Sequence, residues 1–529
     1  MPALRRELHY GDRVVSCFAD RPPHVHAMLA EAVAARPDAQ AVICGETRLT
    51  YAALDAEVRA LAAGLAARGI GPGDRVALLL GNGVPFVAMT HAVARRGAIL
   101  VPLSVRDQTP GLRHALADSG AKLLVADAGP AALVPGCDQT PDLAHRFAVG
   151  DAPGFEPFGA LGRDPASAPA AAEPEEDAPA AILYTSGTTG LPKGAVLTNL
   201  GIVHSASAYA AFMKLGPQDR GAVVVPLSHV TGLVACLHAT VRAGGALIVE
   251  REFKAARFLE TAARERVSFT VMVPAMYNLF LVQDDPARHD LSAWRFGGFG
   301  GAPMPAATLE RLAELLPGLS LMNCYGATET TSPVTMMPPA ETAARRLSVG
   351  PPSPGAEIAV MDDDGREVPP GEHGELWHRG PMVVPGYWNN PQATAREFTA
   401  GFWKSGDIGS KDADGFVYVH DRKKDMINRG GYKIFSAQVE NVLQAVPGVL
   451  ESAVIARPCP VLGERVHAVI VTDGSLDRAA LDAHCRRELA DYQRPESWTI
   501  RSEPLPRNAN GKIIKRRIKA ELDEAAGAL

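Results

Sequence analysis

Segments that read as buried strands alternate with helix-length segments twice along this chain. That alternation restricts it to an α/β fold built on parallel sheets. DRVALLL (74–80), AILVPL (98–103) and KLLVAD (122–127) are apolar runs of strand length, and helices are expected near 84–96 and 109–119 between them. A strand–helix–strand order needs a crossover, which leaves the paired strands parallel. The rhythm returns in GAVVVP (221–226), a helix over 231–243, ALIVE (246–250), an amphipathic helix over 254–266 and SFTVMV (268–273). Two packed α/β subdomains are expected, without a residue-level repeat between them.

A chain of 529 residues is too long for one compact core, so two to four domains are expected. Residues 151–180 are rich in proline and alanine and carry the acidic cluster Glu173, Glu175, Glu176, Asp177. They read as a linker or long surface loop. After residue 345 short strands with Gly and Pro turns (GAEIAVMD, GELWHRG, GFVYVHD) predict a small β subdomain. A helix near 437–445 and the strands ESAVIAR and HAVIVTD then predict a small α+β C-terminal domain.

The net charge of −6 gives no sign of a nucleic-acid partner. The N-terminus has no apolar h-region, and no apolar run is long enough to span a membrane. Seven scattered cysteines without a C-x-x-C pair argue for a reducing cytoplasm and against a zinc site, with each thiol expected to be buried.

The chemistry is concentrated in YTSGTTGLPKG (184–194). Its small residues let backbone N–H groups approach a ligand closely, its hydroxyls add donors, and Lys193 supplies a point charge, which suits a polyphosphate. It does not fit the other common phosphate loop, because no Gly-Lys-Ser/Thr occurs. The alternative reading of the stretch alone, a flexible surface turn, is the weaker of the two. Further motifs come in order: PLSHVTG (226–232), GGFGGAP (297–303), NCYGATET (323–330), SGDIG (405–409), DRKKD (421–425), NRGGYK (428–433) and RNANGKIIKR (507–516). A carboxylate such as Glu329 suits a hard cation, and one such as Asp407 can accept from both hydroxyls of a diol.

This ordered set resembles the adenylate-forming superfamily of acyl-CoA synthetases, luciferases and nonribosomal adenylation domains, from LTYAALD (49–55) to Lys512. The resemblance implies a large N-terminal domain, residues 1–420, of two α/β subdomains plus a small β subdomain. A small mobile α+β lid domain, residues 421–529, would come after it. It implies ATP, Mg²⁺ and coenzyme A as cofactors and cosubstrates. Thr185, Ser186, Gly187, Thr188, Thr189, Gly190 and Lys193 would cradle the phosphates, and Glu329 with Thr185 would hold Mg²⁺. Tyr325, Gly326 and Thr328 would meet adenine, with Gly301, Ala302 and Pro303 beside it and the acyl pocket. Asp407 would bind ribose, Arg422 ribose or phosphate, and Lys424 would be the hinge. Gly430 and Gly431 would border the pantetheine path, where Arg429 and Lys433 could meet CoA phosphates. Lys512 would be the catalytic lysine, and His229 would stand beside the acyl site.

Amino-acid-activating relatives place an Asp near PLSHVTG; none is present, which disfavours an amino-acid substrate. Pocket walls implied by the resemblance (Val230, Thr231, Met276, Phe299, Gly300, Cys324, Thr330, Pro333) are apolar or small, so an uncharged fatty or aromatic acid is expected. The expected reaction is formation of an acyl-adenylate from a carboxylic acid and ATP, then transfer to CoA. A free-standing enzyme loading a carrier protein is the alternative, a non-enzymatic nucleotide-binding module or a luciferase-like oxidase being more remote. A cytoplasmic protein, with a homodimer as its possible assembly, is expected.

Overall fold

The structure, a computed structural model, describes residues 2–185, 191–507 and 513–527. Two compact units divide the chain: Met1–Ile358 with Trp377–Lys404, and Ala359–Leu376 with Ser405–Leu529. This differs from a single cut between residues 420 and 421. The strand Val417–Arg422, at the expected boundary, pairs antiparallel with the strand Phe402–Lys411.

The first unit carries the two expected α/β layers. One sheet orders its strands Lys193–Thr198, Pro179–Thr185, Ile99–Pro102, Arg75–Leu79, Leu123–Asp127, His145–Val149, Glu156–Pro157. Only the Pro179–Thr185/Lys193–Thr198 pair in it is antiparallel. The other sheet runs Thr335–Met336, Ser320–Tyr325, Phe296–Phe299, Phe269–Met272, Arg220–Val223, Ala246–Val249, Gln40–Cys44, Thr47–Thr50, parallel throughout its middle. Strands such as Arg75–Leu79 and Ala246–Val249 are buried almost throughout, as a sheet covered by helices on both faces requires. Helices begin at side-chain caps: Thr50 Oγ1 accepts from Ala53 N, and Thr198 Oγ1 from Gly201 N.

The second unit holds the antiparallel pairing just described and a sheet ordered Tyr432–Ile434, Ile427–Arg429, Gly463–Thr472, Val449–Cys459. Ser497–Arg501 adds in parallel to Gly463–Thr472, and helix Ser436–Gln444 buries Val439 and Leu443. No helix among the described residues is long and apolar enough to cross a membrane.

One expectation needs correction, and two are made more specific. The helix over 231–243 opens as a π-helix, Thr231–His238, before a short α turn Ala239–Arg242. At Gly232 a Cβ would lie 2.3 Å from the Pro226 carbonyl oxygen, so this start admits only glycine. The acidic segment is the long surface loop among the two forms expected, and it is fastened down: Glu173 pairs with His24, Glu176 with Arg21 and Asp177 with His9. Six cysteines are buried, but Cys137 is exposed.

Burial of histidines sets a pH limit on the first unit. Desolvation, and then the neighbouring His238, holds His91 well below its ordinary range, and neither of its ring nitrogens has a hydrogen-bond partner among the described residues. Burial lowers His204 and His26 to about 4 and His238 to about 3. Each folded value lies below the unfolded one, so the unfolded chain binds more protons. The stability these neutral rings contribute is complete above about pH 6.5 and is lost as pH falls toward 4 and 3. The thermal midpoint should drop between pH 7 and 5, and a His91→Leu/His238→Leu variant should show a shallower drop. An equally steep profile in the variant would rule these rings out as the cause.

Candidate active site

The hairpin Pro179–Thr185/Lys193–Thr198 brings the two ends of the glycine-hydroxyl loop together, with Thr185 opposite Lys193. Ser186, Gly187, Thr188, Thr189 and Gly190 lie outside the described residues, as does Lys512. Thr185 Oγ1 is 3.4 Å from the Lys193 carbonyl oxygen and 3.5 Å from Glu329 Oε1. Glu329 sits in a short turn, Thr328–Thr330, directly after strand Ser320–Tyr325, and is 8 % exposed. The structure therefore gathers Thr185, Lys193 and Glu329 from positions well separated in sequence.

Two residues that sequence reasoning missed complete this cluster. Tyr387 Oη lies 2.9 Å from Glu329 Oε1 and 2.7 Å from Glu397 Oε2. Lys193 Nζ donates to both Glu397 oxygens at 2.8 and 2.6 Å and stands 4.1 Å above the Tyr387 ring. Burial, and after it the charges of Glu329 and Glu397, pushes the Tyr387 phenol far up, so it remains a neutral donor. Burial alone would raise Glu397, but hydrogen bonds from Lys193, Tyr387 and Arg396 outweigh it and hold the carboxyl below its usual range. One phenolic proton thus faces two carboxylates. The signal available in sequence was a tyrosine near the end of the apolar run MVVPGYW, then an Asn-Pro helix start and a glutamate on that helix's last turn.

The glycines of GGFGGAP bring their strand against its neighbour. A Cβ on Gly300 would lie 2.3 Å from the Cys324 carbonyl oxygen, so only glycine lets this strand end lie flush against the one carrying Tyr325. Gly301, Ala302 and Pro303 form an exposed turn beyond it, Gly301 in the left-handed region at φ 78°. The Tyr325 ring meets His378 edge-on, with centroids 5.6 Å apart. Gly326 and Thr328 continue toward Glu329, where Ala327 N donates to Thr330 Oγ1 at 2.9 Å.

His229 caps the approach to the π-helix, its N–H donating to Pro226 and its carbonyl accepting from Leu233 N. That loop is held by Asn82, a third residue sequence reasoning missed. Its amide donates to Val225 O (3.0 Å) and Glu250 O (3.1 Å) and accepts from Leu227 N (2.8 Å). Phe299, Cys324 and Thr330 among the expected pocket walls are buried.

In the second unit Asp407, 5 % exposed, pairs with Arg422 Nε at 2.7 Å, and its N–H donates to Ser405 Oγ. The two residues expected at ribose are therefore neighbours. Lys424 is exposed on the turn just beyond. Gly430 and Gly431 take φ of 58° and 92°, both left-handed, which closes the Arg429–Tyr432 hairpin with two residues. Arg429 pairs with Glu496 at 2.6 Å and Lys433 lies 4.0 Å from Asp363, so neither cation is uncommitted.

The donor set at Glu329 and Thr185, a carboxylate and a hydroxyl oxygen 3.5 Å apart, fits a hard divalent cation. A buried carboxylate and a hydroxyl at the ends of the glycine-hydroxyl loop, with an aromatic ring at a nearby strand end, are groups that would suit a nucleoside triphosphate.

Comparison with known proteins agrees. The model of the AMP-binding enzyme family matches residues 8–388, and that of the AMP-binding enzyme C-terminal domain matches residues 438–512. The chain is 38 % identical over 492 residues to a feruloyl-CoA synthase of an Amycolatopsis species, covering 91 % of this chain and 96 % of that protein. It is 32 % identical to the fatty acid–[acyl-carrier-protein] ligase ScoC of Streptomyces coeruleorubidus, covering 91 % and 93 %. The o-succinylbenzoate CoA synthetase MenE of Bacillus subtilis, solved with its acyl-adenylate intermediate, superposes with a TM-score of 0.82 at 30 % identity, over 93 % of this chain and 97 % of that one. The same synthetase has been solved with ATP and a magnesium ion, at the same TM-score and identity, over 93 % and 99 %. Phosphate hairpin, buried carboxylate and C-terminal unit thus have one reading: the chain belongs to the AMP-binding enzyme family.

Proposed function

We propose that this enzyme is an ATP-dependent acyl- or aryl-CoA ligase. The observation that carries the reading is the convergence of Thr185, Lys193 and Glu329 at the mouth of the glycine-hydroxyl loop. The acid's carboxylate attacks the α-phosphorus of ATP and expels pyrophosphate, leaving an acyl-adenylate. A thiol then attacks the acyl carbonyl and AMP leaves. Both partners in the first step are anionic, and the approach is repulsive unless positive charge screens it. Lys193 and Lys512 supply ammonium groups, and Glu329 with Thr185 would hold Mg²⁺, which supplies further charge neutralisation when bound. Asp407 and Arg422 serve the ribose, Tyr325 the adenine, and His229 borders the acyl group. Residues 1–420 act as the adenylation part. Residues 421–529 act as a lid that turns about Lys424 and presents Lys512 for the first half-reaction and the Gly430–Gly431 turn for the second.

The acid is uncharged beyond its carboxylate, fatty or aromatic. The feruloyl-CoA synthase relative favours an aromatic one. ScoC supports a second reading in which a carrier-protein thiol replaces CoA. The protein works in the cytoplasm, and size-exclusion chromatography with light scattering reads whether it is a homodimer.

Incubation with ATP, Mg²⁺, CoA and a panel of short, medium and long fatty acids, benzoates and hydroxycinnamates should release AMP and pyrophosphate and yield a thioester with at least one acid. Transfer to a pantetheinylated carrier but never to free CoA selects the second reading. No AMP with any acid and either thiol refutes both.

A further inference from the structure

The N-terminal hairpin, Leu4–His9 paired with Arg13–Phe18, lies outside both large sheets yet contacts three segments that meet at the triphosphate site. Asp177, two residues before strand Pro179–Thr185, accepts from Tyr10 N at 2.6 Å and contacts His9 Nδ1 at 2.7 Å. Arg21, just past the hairpin, ties Glu7 to Glu176 with four hydrogen bonds of 2.7–3.0 Å. Tyr10 Oη bonds Thr198 Oγ1 at 2.9 Å, where the returning strand Lys193–Thr198 ends. Both outer ends of the phosphate-binding hairpin are thus fastened to one small element.

The third contact is Arg13. Nη1 donates to Val384 O at 3.1 Å and Nη2 to Pro385 O at 3.0 Å, with the guanidinium 5.2 Å above the Tyr10 ring. Residues 381–387 form a strap over Glu329. Val384 N donates to the Glu329 carbonyl oxygen at 3.0 Å, and three residues on Tyr387 reaches its carboxylate. A planar fork can hold two successive carbonyls at once, which a single ammonium cannot do with the same geometry.

We infer that Arg13 is a positioning residue for the nucleotide site: its fork sets the strap from which Val384 and Tyr387 orient the Glu329 carboxylate. The inference rests on Glu329 as the cation-binding carboxylate. Arg13 acts through the strap and is not placed among the groups that meet ATP.

Isothermal titration of ATP into the full-length protein, with and without Mg²⁺, tests this for wild type, Arg13→Met, Arg13→Lys and Glu329→Gln. Loss of two charge-assisted hydrogen bonds should raise the Kd for Mg·ATP about tenfold in Arg13→Met, with Arg13→Lys in between. Metal-free ATP should bind all four proteins alike. Wild-type Mg·ATP affinity in Arg13→Met, or equal losses with and without Mg²⁺, overturns the inference, because a merely structural role would not discriminate on the cation. If Arg13→Met does not fold, Arg13→Lys carries the comparison, and an unchanged Kd there is equally fatal. Wild-type Mg·ATP affinity in Glu329→Gln instead removes the premise, and separates failure of the Glu329 assignment from failure of the strap.

Discussion

Lys512→Ala lowers adenylate formation by about 10²–10³-fold while a supplied acyl-adenylate is still converted to thioester at close to the wild-type rate. The magnitude comes from one preorganised charge at a transition state where two anions meet, worth roughly 3–4 kcal/mol. The selectivity comes from the chemistry of the second step, in which a thiol attacks a carbonyl and no pyrophosphate leaves. The residues flanking 508–512 are well anchored in the second unit. Arg507 and Ile513 form an antiparallel bridge, and Ile514 N donates to Pro506 O at 2.8 Å. Lys515 Nζ reaches Glu440 at 2.7 Å and Ser436 Oγ at 2.6 Å. Truncating Lys512 leaves those anchors in place, so loss of the first half-reaction alone is the expected signature. Pyrophosphate exchange reads the first step, and thioester release from synthetic acyl-adenylate reads the second. Equal loss of both would deny Lys512 its assigned role.

Removing Lys193 or Glu397 singly costs about 2–4 kcal/mol, while removing both costs well under the sum. Their side chains are only 16 % and 23 % exposed, so the pair is little screened by solvent. Lys193→Met leaves Glu397 and Glu329 facing each other across one phenol, with only the exposed Arg396 guanidinium, 2.7 Å from Glu397, to offset them. Glu397→Met leaves the ammonium over the Tyr387 ring without a counter-charge. The first should be the more damaging, since it exposes two anions to each other. The double Met variant removes both charges and keeps apolar volume. A double-mutant cycle on chemical denaturation of the first unit measures the coupling, and strict additivity would show that the observed contacts carry no coupling energy.

The parallel α/β layers were legible because buried strands such as Arg75–Leu79 and Ala246–Val249 are continuous apolar runs between helices, a pattern few other folds share. The motifs that hold Glu329 and Lys193 stand out in the sequence because they are local, and the structure brings the two into one cluster. Tyr387, Glu397 and Asn82 were not, because each acts through long-range hydrogen bonds or ion pairs that leave no periodic trace in the chain. The segment opening at Thr231 is legible as helical but not as π-helical, since one extra residue in a turn barely alters an apolar pattern. The ties of the acidic surface loop are hidden in the sequence for a related reason. Glu176 and Asp177 find Arg21 and His9 more than a hundred residues upstream, while Glu173 stays mostly exposed beside His24.

Asn82 has a practical consequence for anyone who would retune the acid preference. It stands just past the first sheet's strand Arg75–Leu79 and grips main-chain atoms after two strands of the second sheet, at Val225, Leu227 and Glu250. Transplanting the 226–232 loop from a relative therefore exchanges more than a lining. Unless the incoming backbone offers the same donor at position 227, Asn82 Oδ1 loses its partner and the tie between the two layers is weakened to the two bonds at Val225 and Glu250. Point substitutions at side chains of that loop leave the tie untouched, and are the safer route to a new specificity.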